Sequence, residues 1–143
     1  MRVLATPPPE SPLAEAAARV GDRWTLLIVE ALLDGPLRFA DLVGRIGIAS
    51  NILSQRLKRL EQDALIVAQP YSERPRRFEY ELSETGRELA GALRLLADWG
   101  ARHAEGSEPL RHDACGTPLE ARWYCPTCAR AIDDDEASDV HFA

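Results

Sequence analysis

"FADLVGRIGIASNILSQRLKRL", Phe39 to Leu60, sets an apolar helical periodicity on either side of one glycine. Before Gly47, the residues Phe39, Leu42, Val43 and Ile46 predict a short helix that the glycine ends. Beyond it, Ser50 stands where an N-cap is expected. Leu53, Leu57, Leu60 and Ala64 follow at i, i+4, i+7 and i+11 of a second helix. Two helices joined by a tight turn, each with one apolar stripe, is the sequence form of a helix-turn-helix.

Working outward, "SPLAEAAARVG" predicts a helix begun by Ser11-Pro12 and stopped at Gly21. "RWTLLIVEALLDGP" predicts a buried helix with Trp24, Leu27, Ile28, Ala31 and Leu32 on one face, ended by Asp34-Gly35-Pro36. Downstream, β-prone segments at Leu65–Gln69 and Phe78–Leu82 flank a Pro- and Arg-rich connection, the pattern of a hairpin with a basic tip. "SETGRELAGALRLLADWGARH" then predicts one long helix capped by Ser83. Its apolar residues Leu89, Ala92, Leu93, Leu95, Leu96 and Trp99 cover more than one contact needs, so the helix is expected to meet its own domain and a partner subunit. The expected fold is α+β, mainly helical: a flexible N-terminus at 1–11, a winged helix-turn-helix domain at 12–105, a zinc-ribbon-like extension at 106–131 and an acidic tail at 132–143.

The net charge of -6 argues against a polyanionic partner only until it is divided along the chain. Residues 1–104 carry 14 basic and 14 acidic side chains, whereas residues 105–143 carry 3 and 9. Between Ser50 and Arg77 basic residues outnumber acidic ones by 6 to 3, a local surface suited to phosphates. On a helical wheel, the side opposite Leu53, Leu57 and Leu60 presents Asn51, Gln55, Lys58 and Gln62, with Ser54 and Arg59 at its edges. Asn and Gln hydrogen-bond adenine, Lys bonds guanine, and Ser bonds either. Asn51, Ser54, Gln55 and Lys58 are therefore expected on base edges of double-stranded DNA, with Ser50 at the helix start in the same set and Arg59 on a phosphate. Arg56, nearer the apolar side, is expected to bridge to a carboxylate or a phosphate. Arg74, Arg76 and Arg77 surround Pro75 and suit phosphates or a narrow minor groove, and Arg38 is a further phosphate candidate.

The runs "WTLLIVEALLDGPLRFADLVGRI", "LSQRLKRLEQDALI", "RPRRFEYELSETGREL" and "LADWG" together resemble the HxlR family of bacterial winged-helix transcription regulators, relatives of the MarR type. The resemblance spans roughly Pro12 to His103. It implies a homodimer formed through the first and last helices, with two winged units reading a palindromic operator. Members of that family often carry a cysteine just before the first helix, a redox sensor in some; here the position is Ser11.

All three cysteines fall in "HDACGTPLEARWYCPTC", with His112-x2-Cys115-x9-Cys125-x2-Cys128. Two pairs of ligands, each separated by two residues and joined by a short loop, suit tetrahedral zinc. "EARWYC" is expected as a strand between them. His112 is the expected fourth ligand, with Asp113, His103 and His141 as alternatives. Cys125-Pro126-Thr127-Cys128 also looks like a glutaredoxin-type motif, but the fifteen residues after Cys128 are too few for the βαβ fold such chemistry needs. Structural zinc and a metal- or thiol-responsive site share these ligands.

No nucleophile motif, phosphate-cradling glycine loop or carboxylate pair points to an enzyme. "MRVLATPPPE" lacks the apolar core of a secretion signal and the longest apolar runs are too short to span a bilayer, so a cytoplasmic protein is expected. A function of another class is a winged-helix protein-protein module whose zinc ribbon docks onto transcription machinery.

Overall fold

In the computed structural model residues 11–133, 135–136 and 140–141 are described; positions 1–10 of the expected flexible N-terminus and part of the acidic tail lie outside the described residues. Helix α1 (Pro12–Val20) starts as its sequence requires: the Ser11 hydroxyl accepts the Ala14 N–H at 3.0 Å and Pro12 takes the first helical position. Helix α2 (Arg23–Leu32) is capped by Asp22, whose carboxylate accepts the amides of Trp24 and Thr25, both at 3.1 Å. Ile28, Val29, Ala31 and Leu32 of α2 are buried.

A short strand β1 (Leu37–Arg38) leads into α3 (Phe39–Ile46), which ends where Gly47 turns left-handed at φ 73° and its N–H closes on the Val43 carbonyl at 2.9 Å. Helix α4 (Ser50–Gln62) follows after Ile48 and Ala49. Its N-cap is Ala49 and not Ser50. The Ala49 carbonyl already accepts the Leu53 amide at 2.9 Å, which places Ser50 inside the first turn and leaves the helix without a side-chain cap. Leu53, Leu57 and Leu60 are buried together with Ile28, Leu42 and Ile48. At roughly 2 kcal/mol for each leucine removed from water, this stripe is a principal tie between α4 and the rest. Ala64, expected on the stripe, lies past the helix end. There Ala64 takes φ 56°, its N–H bonds the Glu61 carbonyl at 3.0 Å and the Leu65 N–H bonds the Leu60 carbonyl at 2.9 Å. That pairing is a Schellman closure, with an alanine where glycine is usual.

The chain then forms an antiparallel sheet in the order β1-β3-β2 from β2 (Ile66–Glu73) and β3 (Arg76–Leu82). The hairpin is longer than its sequence suggests because β2 is an edge strand, where Pro70 can pair with Phe78 without a donor of its own. The register shifts between Pro70 and Ser72, so Tyr71 is a bulge. Strand β1 pairs Leu37 with Tyr80 and Arg38 with Glu79. Two residues carry no readable period, and the sequence gives no sign of this strand.

The long helix expected from Ser83 is interrupted. Ser83 caps a single turn, α5 (Glu84–Arg87), and α6 (Ala90–His103) begins after a tightened step in which the Leu89 N–H reaches the Gly86 carbonyl at 3.3 Å. The close docking of α5 depends on Gly86, where a Cβ would meet the Leu65 carbonyl oxygen at 2.2 Å.

The chain divides into two compact units, Met1–Leu93 and Arg94–Ala143, so the division falls within α6 rather than after Glu105. In the second unit β4 (Tyr124–Cys125) pairs with β5 (Arg130–Ala131), and the strand expected across "EARWYC" is confined to its last two residues. Among the described residues no helix is long and apolar enough to cross a membrane.

The left-handed alanine yields a simple test. Ala64→Gly is expected to raise the stability of the chain by up to about 1 kcal/mol, read as a higher urea midpoint at unchanged slope, because glycine takes that conformation without a Cβ clash. A lowered midpoint would contradict the closure described.

Candidate nucleic-acid interface

One face of α4 is fixed by more than its leucines. The Arg56 Nε donates to the Asp22 carboxylate at 2.9 Å, and the same carboxylate accepts the hydroxyl and the amide of buried Thr25. Burial by itself would raise the Asp22 carboxyl, but the Thr25 and Arg56 hydrogen bonds outweigh it and hold the group below the ordinary aspartate range. The bridge expected of Arg56 is thus made to the N-cap of α2. Arg59, expected on a phosphate, donates to the Ala18 carbonyl at the end of α1 at 2.6 Å. In this structure it ties α4 to α1.

The opposite face is open. Ser50, Asn51, Ser54, Gln55 and Lys58 are all exposed, and among the described residues the side chains of Asn51, Ser54, Gln55 and Lys58 have no hydrogen-bond or ion-pair partner. They bring donors and acceptors of three chemical kinds onto one side of a 13-residue helix, about 20 Å long. The uncapped N–H groups of its first turn lie at the same end, an arrangement favourable to anions.

The hairpin tip adds charge. Arg74, Arg76 and Arg77 are exposed around the cis Arg74–Pro75 bond. Around the hairpin two arginines rest on aromatic rings: the Arg76 guanidinium lies 5.4 Å from the centre of Phe78, and that of Arg38 lies 4.2 Å from the centre of Tyr71. A guanidinium on a ring face keeps its N–H fork free for phosphate while the ring limits its motion. Arg38, Tyr71, Arg76, Arg77, Phe78 and Tyr80 line a hollow of about 470 Å³ between the start of α3 and the hairpin. The aromatic supports and the Asp22 network were not read from the sequence. The first needs the Tyr71 bulge and the strand register. The second carries a legible sign, an Asp immediately before an apolar helical run.

The four residues expected on zinc form two pairs. His112 Nδ1 lies 3.4 Å from Cys115 Sγ, and Cys125 stands beside Cys128, whose amide and thiol hold the Cys125 thiol low. Among the described residues no three His, Cys, Asp or Glu side chains gather as one metal-holding group, so the four are not assembled together. The hydroxyl and amide of Thr117 lower the Cys115 thiol. The amides of Cys128 and Thr127 lower that of Cys125.

Comparison with known proteins agrees with this geometry. A family model described as HxlR-like helix-turn-helix matches residues 19–108. The HTH-type transcriptional regulator Rv3095 of Mycobacterium tuberculosis is 38% identical over 124 residues, which cover 84% of this chain and 78% of that protein. The solved structure of a transcription factor of Pseudomonas aeruginosa, PA1374, superposes with a TM-score of 0.67 at 31% identity, covering 88% of each chain. The reduced form of the transcriptional regulator YodB from B. subtilis superposes at 0.56 with 33% identity, covering 68% of this chain and 98% of its own.

The Asp22 network predicts a measurable cost. Asp22→Ala removes the cap of α2 and the partner of Arg56, and is expected to lose about 1–2 kcal/mol in urea denaturation at neutral pH. Because the folded carboxyl is held low, this contribution is present above the ordinary aspartate range and is lost as pH falls through the lower folded value. The variant should lack that step; an unchanged midpoint and pH profile would contradict the role given to Asp22.

Proposed function

The chain belongs to the HxlR-like helix-turn-helix family of transcriptional regulators, and on that premise we propose that it is a repressor that reads a palindromic operator as a homodimer. In this reading α4 enters the major groove, with Asn51, Ser54, Gln55 and Lys58 on base edges and Ser50 at the phosphate-facing end. Arg74, Arg76 and Arg77 of the hairpin, with Arg38, hold the backbone or the adjacent minor groove. The observation that carries the reading is the division of α4 into a face pinned by Leu53, Leu57, Leu60 and Arg56 and a face of polar groups without partners. A helix held in this way can be pressed into a groove without repacking its own core. Arg59 takes a structural place beside Ala18, and its expected phosphate contact is left out.

The dimer reading draws on apolar surface that one chain leaves uncovered. Leu95, Leu96 and Trp99 of α6 are 45%, 55% and 60% exposed, and Leu13 of α1 is 77% exposed. Such residues are of the kind that two copies bury against one another.

Binding to a palindromic promoter fragment separates the roles. Gln55→Ala is expected to relax preference at one base position, at a cost of about 1–3 kcal/mol for the preferred sequence. Arg76→Ala should weaken every sequence alike and reduce the salt dependence by about one counterion. Absence of sequence preference even at low salt would favour a protein-protein module instead. For the dimer, Leu96→Glu places a charge on an exposed site and is expected to leave folding intact while shifting the sedimenting species from dimer to monomer. A dimer that survives this change would contradict the use of α6.

A further inference from the structure

The extension holds regular backbone turns without a core to explain them. Among the described residues every buried hydrophobic residue lies between Ile28 and Leu82, whereas Leu110, Leu119, Trp123 and Tyr124 are exposed. A segment this short needs some other cross-link to fix its conformation.

Its backbone is a tandem repeat at an offset of 13 residues that the sequence hides. In the first copy the Leu119 N–H bonds the Leu110 carbonyl at 2.7 Å, Arg111 bridges Pro118, and the His112 N–H bonds the Thr117 carbonyl at 2.9 Å. In the second the Ile132 N–H bonds the Trp123 carbonyl at 2.7 Å, Tyr124 pairs with Ala131 and Cys125 pairs with Arg130. His112 therefore corresponds to Cys125, and Cys115 to Cys128. The residue after each second ligand turns left-handed, Gly116 at φ 70° and Ala129 at φ 54°. An alanine accepts that backbone only under constraint from its surroundings. Leu119 and Ile132, also equivalent in the repeat, line one hollow of about 600 Å³ with Leu95.

We propose that the two hairpin tips are the halves of one zinc site, closed by a single ion held by Cys115, Cys125, Cys128 and His112. A tetrahedral ion with bonds of about 2.1 Å to nitrogen and 2.3 Å to sulfur sets its ligands roughly 3.6 Å apart. His112 Nδ1 and Cys115 Sγ stand at 3.4 Å. The two tips are separate pairs in this structure, so the ion draws them together and fixes the extension as it binds. Three thiol protons pass to solvent as the sulfur–zinc bonds form, while His112 binds as neutral imidazole. Beside the second tip, Arg130 is held by the Glu136 carboxylate through two hydrogen bonds of 2.8 and 2.7 Å.

The test uses the full chain without a histidine tag, purified anaerobically with reductant, with zinc measured by plasma mass spectrometry and affinity measured by competition with a chromogenic chelator. The expected result is one zinc per chain, and tetrahedral thiolate absorption when cobalt replaces it. Cys115→Ser and Cys125→Ser, one from each tip, should each weaken zinc by more than the 10–100-fold typical of losing an outer-shell partner, roughly as a first ligand must. His112→Cys should retain zinc through four thiolates, and His103→Ala should leave it unchanged. Zinc well below one per chain, zinc retained equally in both serine variants, or a Cys125–Cys128 disulfide with no metal after anaerobic purification would each overturn the proposal. Because both tips lie outside the winged core, an unchanged urea midpoint of the first unit shows that a serine variant lost metal rather than fold.

Discussion

Three leucines of α4, Leu53, Leu57 and Leu60, are withdrawn almost entirely from water, at 0%, 2% and 1% exposure. Their spacing puts them on one side of a helix, and their burial against Ile28 of α2 and Leu42 of α3 fixes the rotation of that helix about its axis. Once the rotation is set, the opposite residues have no choice of direction: Asn51, Gln55 and Lys58 face solvent because the leucines cannot. The Asp22–Arg56 ion pair and the Arg59–Ala18 hydrogen bond add polar anchors at the boundary of the buried face, where water would otherwise compete. What reads as a DNA-facing surface is thus the complement of a packing requirement.

The same economy applies to charge. The chain as a whole is acidic, yet between Ser50 and Arg77 basic residues outnumber acidic ones by 6 to 3, while the excess acid lies in residues 105–143. A phosphate surface needs local excess rather than net charge, since fields at exposed sites decay over about 8–10 Å in physiological salt. Arg38 and Arg76 are further steadied by Tyr71 and Phe78, which reduces the conformational freedom that each would lose on meeting a backbone.

Periodic features were legible and local exceptions were not. The helices around Gly47, the Ser11-Pro12 start and the buried stripe follow from spacing and caps, and they are where spacing places them. Ser50 was misplaced by one residue because the carbonyl that begins a helix leaves no mark in the sequence, and Ala64 was put on the stripe because its left-handed turn looks like one more helical position. The Pro70 strand, the β1 pairing and the break at Leu89 all depend on tertiary neighbours. Arg56, nearer the apolar side, found the carboxylate of Asp22, one of its two expected partners, whereas Arg59, expected on a phosphate, found the Ala18 carbonyl, and the polar residues farther round the helix remained open. The repeat in the extension is carried by backbone turns with almost no shared side chains, so composition suggested its ligands without revealing its symmetry.

The central claim is that two copies of α4 lie in successive major grooves of one operator. Dimethyl sulfate protection on the bound fragment tests it most directly, since the reagent attacks guanine N7 on the major-groove edge. The account predicts two symmetric patches of protected guanines about one helical turn, 10–10.5 base pairs, apart. Specific binding with no guanine N7 protection, or with a single unpaired patch, would contradict it.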